Sequence, residues 1–295
     1  MYQEISANRR KTILIMGLFI LFIVTMGYVF GRATGETTAW FVIALLLATG
    51  TSFFSYYYSD QVVLALTNAH PADRNMYFDF YTAVENLCIA TGLPKPKIYV
   101  IDDDAPNAFA TGRDPEHAVI VATTGLLKKL QKLELEGVIA HELSHIKNYD
   151  IRLMTIIVVL VGFVSILANW FFRFRMWGGS NREERDRSSG VFILVGVVFA
   201  IFMPIVATLM QLAVSRHREY LADASGALIT RYPDGLASAL EKIAQDPSKM
   251  RVVNPATAHL FIASPLKKTD KNLIFQGLFD THPPVEDRIK RLRSM

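Results

Sequence analysis

Long apolar segments alternate with charged stretches along this chain. Four such segments occur, at residues 13–30, 40–58, 153–172 and 191–214. Each has close to the ~20 residues that a helix needs to cross ~30 Å of hydrocarbon. The pattern therefore predicts an α-helical integral membrane protein with four transmembrane segments, arranged as two hairpins.

The stretch between the second and third apolar segments has the pattern of a water-facing domain. Its first half places apolar residues at helical spacing, from Phe78 to Ala90. Gly92 and the two prolines that follow it are expected to end this helix.

Shorter elements are predicted further along the chain. Short apolar runs at 97–101 and 117–122 indicate strands, and 107–112 is a candidate third strand. A helix is expected from about Leu133 and another at 235–244, followed by a polar, loop-rich tail. The water-facing part is thus predicted to be mainly α with a small β-sheet.

Composition agrees with this division and limits the function classes. Hydrophobic residues make up 51% of the 295 residues, whereas charged residues still reach 20%. The net charge is only +4, and no basic stripe interleaved with aromatic residues occurs, so we expect no nucleic-acid partner. Cys88 is the sole cysteine, which excludes an intrachain disulfide. It is predicted to be a small core residue rather than a nucleophile.

Basic residues near the start of the chain indicate its orientation in the membrane. Arg9, Arg10 and Lys11 precede the first apolar segment and favour a cytoplasmic N-terminus. Four crossings would then return both water-facing parts to the cytoplasm. The loop at 173–190 opposes this orientation, because its five arginines would lie outside. Alternatively, the third and fourth segments form a hairpin packed partly on the water-facing domain.

A short motif in the helix from Leu133 indicates a chemistry. His141 and His145 lie four residues apart, and Glu142 follows the first, in the pattern H-E-x-x-H. On a helix both imidazoles project from one face and can reach the same ion, an arrangement typical of zinc metallopeptidases. Glu142 would take a proton from a water that zinc makes more acidic. We therefore predict one Zn²⁺ per chain; the alternative is two solvent-facing histidines on a surface helix.

A catalytic zinc usually has three protein ligands and an open position. Asn148 and Ile151 exclude the extended motif in which a third histidine follows on the same segment. Glu219 is the candidate third ligand, and Asp223 on the same helical face could orient a ligating imidazole. His217 would point to nearly the opposite side, so it and Glu219 cannot both bind. The alternative is a charged collar beside a membrane helix.

The apolar pattern connects the two parts of this site. Two apolar segments separate His145 from Glu219, and two crossings return the chain to the membrane face that it left. The chain is accordingly predicted to divide into an N-terminal membrane hairpin at 1–58, the first part of a metallopeptidase domain at 59–150, a second membrane hairpin at 151–214 and the remainder of that domain at 215–295.

With these features the chain resembles the HtpX family of bacterial membrane zinc metallopeptidases, which are related to CAAX prenyl-protein endopeptidases. The resemblance covers essentially the whole chain. Besides the apolar segments, it rests on the motifs NAFATG at 107–112, HELSH at 141–145, SRHREYLAD at 215–223 and His-Pro-Pro at 282–284.

The resemblance implies a gluzincin-like fold and a set of site residues. His141, His145 and Glu219 would bind zinc and Glu142 would act as general base, the same assignment that the spacing gives. The active site would lie on the cytoplasmic side of the bacterial inner membrane. The substrates would be misfolded membrane proteins or unfolded polypeptides, cleaved in protein quality control and the stress response.

Two further sets of residues are weaker candidates. Asn107, Ala108 and Phe109 could form an edge strand that pairs with an extended substrate, although an ordinary short strand explains them equally well. His282 and Arg288 become candidates for stabilising the oxyanion only through the family resemblance. The three remaining histidines that lack partners in the sequence are expected to be structural or surface residues: His70, His117 and His259.

Two rival functions remain open at this point. In an intramembrane protease of the site-2 type, the motif would lie within a transmembrane helix, but the segment before His141 carries too many charges for hydrocarbon. In a non-enzymatic chaperone or scaffold, zinc would be structural. Structural sites usually have four ligands, often cysteines, and this chain has only Cys88.

Overall fold

Long helices dominate the computed structural model, which describes residues 2–177, 197–198, 215–251, 256–265 and 283–295. Three helices in this part are long and apolar enough to cross a membrane: Ile5–Arg32, Thr37–Leu66 and Asp150–Leu167. They match the first three predicted spans. The fourth, at 191–214, lies outside the described residues except for 197 and 198.

The described residues form nine α-helices and four strands. The helices are α1 (Tyr2–Thr34), α2 (Thr37–Leu66), α3 (Phe78–Thr91), α4 (Thr124–Lys129), α5 (Lys132–Lys147), α6 (Asp150–Trp177), α7 (Arg216–Thr230), α8 (Pro233–Gln245) and α9 (Val285–Leu292). The strands are β1 (His70–Pro71), β2 (Lys97–Ile101), β3 (Ala108–Gly112) and β4 (Ala118–Thr123).

The first two helices form a closely packed hairpin. Gly35, with a φ of 85°, makes the turn between them. A Cβ on Gly27 would lie 2.3 Å from the Cβ of Ala44, so only glycine permits this approach. The second helix continues to Leu66, eight residues beyond the predicted end of the apolar segment.

The four strands form one small sheet in the order β1-β2-β4-β3. Strands β2 and β4 are parallel, whereas β3 runs antiparallel to β4. Among the described residues β3 is thus an edge strand, and all five of its residues are buried. One face of the sheet packs on α3 and α5, and the other faces the membrane helices.

Local sequence explains the elements around the sheet. Helix α3 ends where expected, at Gly92, whose φ of 69° suits a left-handed cap. Thr123 caps α4 by accepting a hydrogen bond from the backbone N–H of Leu126 at 3.1 Å. Cys88 is a buried core residue as predicted, and burial raises its pKa to about 11.

The chain departs from the predicted pattern at two places. The polar tail was expected to be loop-rich, but Val285–Leu292 is a helix that packs on α8 through Leu292 and Ile289. The predicted loop at 173–190 is also wrong at its start, because α6 continues to Trp177. The rest of that loop lies outside the described residues.

Candidate metal centre

Helix α5 carries both histidines of the H-E-x-x-H motif into the interior of the protein. Glu134 fixes the start of this helix by accepting a hydrogen bond from the backbone N–H of Gln131 at 2.7 Å. His141 is fully buried, and Glu142 and His145 are only 2% and 5% exposed. The alternative of two solvent-facing histidines is therefore wrong.

Glu219 on α7 approaches the two motif histidines from a neighbouring helix. Its carboxylate oxygens lie 3.8 Å from Nε2 of His141 and 3.5 Å from Nε2 of His145. The two Nε2 atoms are 3.2 Å apart. Gly226 permits the close packing of α7 on α5, since a Cβ there would lie 3.1 Å from the backbone nitrogen of His141. The fold thus brings together the three residues that the sequence proposes as ligands.

The outer nitrogen of each imidazole faces a carboxylate. Nδ1 of His141 lies 2.9 Å from Asp223, and Nδ1 of His145 lies 3.0 Å from Asp150. Because an ionised carboxylate only accepts hydrogen bonds, each Nδ1 carries a hydrogen, and each Nε2 is the ring nitrogen that can bind a metal. Once Nε2 of His145 has lost its proton, these two nitrogens and the carboxylate of Glu219 lie close enough to hold one cation between them. The donor set therefore fits a divalent metal ion such as zinc.

Burial and neighbouring charges set the protonation of the motif residues. Burial raises the pKa of Glu142 to about 7, although the positive charge of His145 opposes this change. Burial alone would lower the pKa of His145, but its hydrogen bond to Asp150 and the charge of Glu219 outweigh burial and raise the pKa to about 9. Burial lowers the pKa of His141. A carboxyl with a pKa near 7 can exchange a proton readily at neutral pH.

Arg288 lies beside the cluster and is fully buried. Its guanidinium donates two hydrogen bonds to Asp223, at 2.9 Å and 2.7 Å, and a third to the carbonyl of Ile262 at 2.9 Å. Nη1 of Arg288 also lies 3.7 Å from a carboxylate oxygen of Glu219. The bidentate pair fixes Asp223 against His141. Stabilisation of the oxyanion by Arg288 stays a prediction.

A second chain of polar contacts starts at Asp150, which sequence reasoning missed. Arg218 donates to Asp150 at 3.1 Å, and Asn8 on α1 donates to the same oxygen at 2.7 Å. All three side chains are buried. In the sequence, Asp150 is only a charged residue at the border of an apolar segment. Such borders are charged in most membrane proteins, so this position gave no specific indication of a role.

A narrow cavity opens beside the cluster. It is lined by the two motif histidines, Glu142, Glu219 and the segment from His259 to Ile262. His259 was expected to be a structural or surface residue; it is buried, with Nε2 3.4 Å from the carbonyl of Met154.

The strand β3, which was predicted to bind substrate, borders this cavity, but another segment of the protein already bonds to part of its outer edge. The carbonyl of Ala108 accepts a hydrogen bond from the backbone N–H of Ile262 at 2.9 Å. The side chain of Asn107 donates to the carbonyl of Ala263 at 2.9 Å, and Phe109 packs edge-to-face on Phe261. The outer edge of β3 is therefore paired with the protein's own chain at Ala108.

The other histidines lie away from the cluster or outside the described part of the chain. His217 is exposed, consistent with Glu219 as the buried partner on the same helix. His70 and His117 are exposed surface residues, paired with Asp102 at 3.1 Å and Asp114 at 2.6 Å. His282 is among the residues that the structure does not describe, so its proposed role stays a prediction.

A family model named Peptidase family M48 matches residues 79–295, the part of the chain that contains every candidate ligand. The chain belongs to peptidase family M48. It is accordingly a metallopeptidase, as predicted, which makes a non-enzymatic scaffold the disfavoured reading. The motif lies in α5, which is separate from the candidate membrane spans, so a site within a transmembrane helix is also disfavoured.

Relatives within the M48 family confirm the resemblance to HtpX. The chain is 45% identical to "Protease HtpX homolog" of Tropheryma whipplei over 295 residues, which cover 100% of this chain and 98% of the relative. It is 41% identical to the protein of the same description from Ligilactobacillus salivarius, with 100% of each chain covered.

A solved structure shares the fold at lower identity. The crystal structure of S. mikatae Ste24p matches with a TM-score of 0.51 and 19% identity, over 99% of this chain and 67% of that one. The mostly helical architecture with a small sheet therefore recurs in a solved protein.

Proposed function

We propose that the chain is a zinc endopeptidase with His141, His145 and Glu219 as metal ligands and Glu142 as general base. The observation that carries the proposal is the convergence of three buried donor atoms, which lie within 4.8 Å of one another. When bound there, one zinc ion per chain would polarise the scissile carbonyl and make a water more acidic.

Glu142 has the placement and the proton affinity that a general base needs. Its carboxylate is buried beside both histidines and accepts a hydrogen bond from the backbone N–H of Ala110 on β3. A pKa raised towards 7 lets it take a proton from water and return it to the leaving amine. Asp223 and Asp150 hold the two imidazoles in the tautomer that leaves Nε2 free for the metal.

The substrate-binding role of Asn107, Ala108 and Phe109 follows from the position of β3. An edge strand offers backbone groups to an extended peptide, which favours cleavage with little sequence preference. The backbone of Ile262 holds one of these groups, the carbonyl of Ala108. A substrate would therefore pair further along the edge or replace this contact.

The contacts of α1 support a position for the site relative to the membrane. Asn8 lies near the start of the first candidate span and contacts Asp150, the first residue of the third. The metal centre is thus near the membrane face on which the N-terminal end of α1 lies. With Arg9, Arg10 and Lys11 at that end, we place the site on the cytoplasmic side of the bacterial inner membrane.

The partners and the domain division follow from the same placement. A site at the membrane surface suits unfolded or misfolded membrane proteins as substrates, and hence a role in protein quality control under stress. The parts at 1–58 and 151–214 would be membrane hairpins, four spans in total, and 59–150 and 215–295 would together form the gluzincin-like peptidase domain.

Replacement of the general base tests the proposal directly. In purified protein loaded with zinc, Glu142→Gln should bind one zinc per chain as wild type does, because it is not a ligand. Its turnover on casein should fall by about 10²- to 10⁴-fold. Glu219→Ala, as a comparison, should lose the metal. Undiminished cleavage by the glutamine variant would refute the assignment of the base.

A further inference from the structure

The first membrane helix contributes a buried polar side chain to the surroundings of the metal centre. Asn8 is 2% exposed, although it lies at the beginning of a candidate membrane span. A buried amide is costly unless its hydrogen-bonding groups are satisfied. The contacts that satisfy it therefore indicate what this residue does.

The contacts of the Asn8 side chain join the ends of the two helices that carry candidate metal ligands to Asp150, the first residue of α6. Its Nδ2 donates to Asp150 at 2.7 Å and to the backbone carbonyl of Asn148 at 3.0 Å. Its Oδ1 accepts from Arg218 at 3.1 Å. If the amide were turned the other way, its oxygen would face two other acceptors and its NH2 group would face the donor of Arg218. The network therefore fixes the orientation of the amide.

The network ends at a candidate ligand. One oxygen of Asp150 accepts from Asn8 and Arg218, and the other faces Nδ1 of His145 at 3.0 Å. Arg218 precedes Glu219 on α7, and Asn148 caps the C-terminal end of α5. The amide thus connects the ends of both ligand-bearing helices at one point.

We infer that Asn8 is a positioning residue for the metal centre, acting through Asp150 on the imidazole of His145. The inference rests on the proposed metal ligands and extends them to the membrane anchor. In this view the first helix is part of the catalytic architecture, in addition to holding the protein in the bilayer. Outer partners of metal ligands commonly change metal affinity by about 10- to 100-fold.

Two substitutions at Asn8 separate hydrogen bonding from packing. Asn8→Ala removes the amide, whereas Asn8→Asp keeps its size but places a carboxylate against that of Asp150. Thr12→Val is the matched control, because Thr12 is buried one turn further along the same helix and bonds only to the backbone of Asn8 among its assigned contacts. His145→Ala is the reference for a lost ligand.

Zinc loss is the decisive measurement, made on the full chain in detergent with a chromogenic chelator. Both Asn8 variants should release zinc about 10-fold faster than wild type or more, and Thr12→Val should release it at the wild-type rate. In the cobalt-substituted protein the visible spectrum of Asn8→Asp should change, because the ligand field of His145 changes. Excess zinc should restore turnover on casein without a change in KM.

The possible results distinguish this inference from the proposed function. If Asn8→Asp unfolds at the wild-type temperature and keeps both the wild-type zinc release and cobalt spectrum, the positioning role is refuted. If instead wild type binds no zinc, or His145→Ala binds it equally well, the proposed metal centre itself fails.

Discussion

At the scale of single residues, the pairing of each motif histidine with a carboxylate determines how the centre responds to pH. Asp150 and Glu219 raise the pKa of His145 to about 9, so the apo protein carries a proton there at neutral pH. A metal binds only the neutral imidazole, so this proton must leave as the ion enters. Metal affinity should therefore depend on pH within the neutral to mildly alkaline range.

We predict that zinc binds more tightly as the pH rises. Below the raised pKa of His145 one proton is released per zinc, so the apparent Kd should fall about tenfold per pH unit between about pH 7 and 9. Calorimetry in buffers of different ionisation enthalpy would count the protons released. An apparent Kd that does not change over this range would contradict the protonated state of His145.

At the scale of elements, the metal centre depends on how closely α8 packs against α5. Gly137 on α5 faces the backbone of Leu236, and a Cβ there would lie 2.7 Å from its nitrogen. Gly235 on α8 approaches the carbonyl of Leu133 in the same way, at 2.6 Å. Backbone atoms cannot move aside as a flexible side chain would, so both positions require glycine.

We predict that Gly137→Ala destabilises the protein by about 1–3 kcal/mol, because the added methyl forces α8 away from α5. Gly50→Ala is the matched control, since no atom lies within 4 Å of a Cβ at that helical position. Thermal unfolding in detergent, monitored by circular dichroism, would compare the two. Equal unfolding temperatures for both variants would show that the helices have room to adjust.

Elements that are determined by local sequence could be predicted, whereas those that depend on distant contacts could not. Strand β2 and helix α3 follow local periodicity and glycine signals, and they lie where the pattern placed them. Helix α9 was missed because five of its eight residues are charged, and only contacts with α8 reveal its apolar side. The motif histidines could be found from their spacing, whereas the roles of Asp150 and Asn8 depend on contacts between distant segments.

At the scale of the whole molecule, the contact between the starts of α1 and α6 brings the proposed metal centre next to the N-terminal end of α1, so we expect both at the same membrane face. The turn between α1 and α2 lies at the far end of the first hairpin. A side chain in that turn and one in the peptidase domain should therefore be exposed on opposite sides of the bilayer.

We predict opposite labelling of two single-cysteine additions. Glu36 lies in the turn and Lys97 begins β2, and both are exposed, whereas the native Cys88 is buried and should react little. In intact cells an impermeant maleimide should label Glu36→Cys but not Lys97→Cys, which should react only after permeabilisation. The reverse pattern would place the metal centre outside the cytoplasm.

The polar contacts around the metal centre join residues from nearly the whole length of the chain, from Asn8 to Arg288. During synthesis, His141 and His145 leave the ribosome long before Arg288 is made, and Asp223 then has no guanidinium beside it. A growing chain consequently lacks the finished centre until α9 has emerged. We expect nascent chains of this peptidase to be proteolytically silent, which would protect them and neighbouring unfolded chains from premature cleavage.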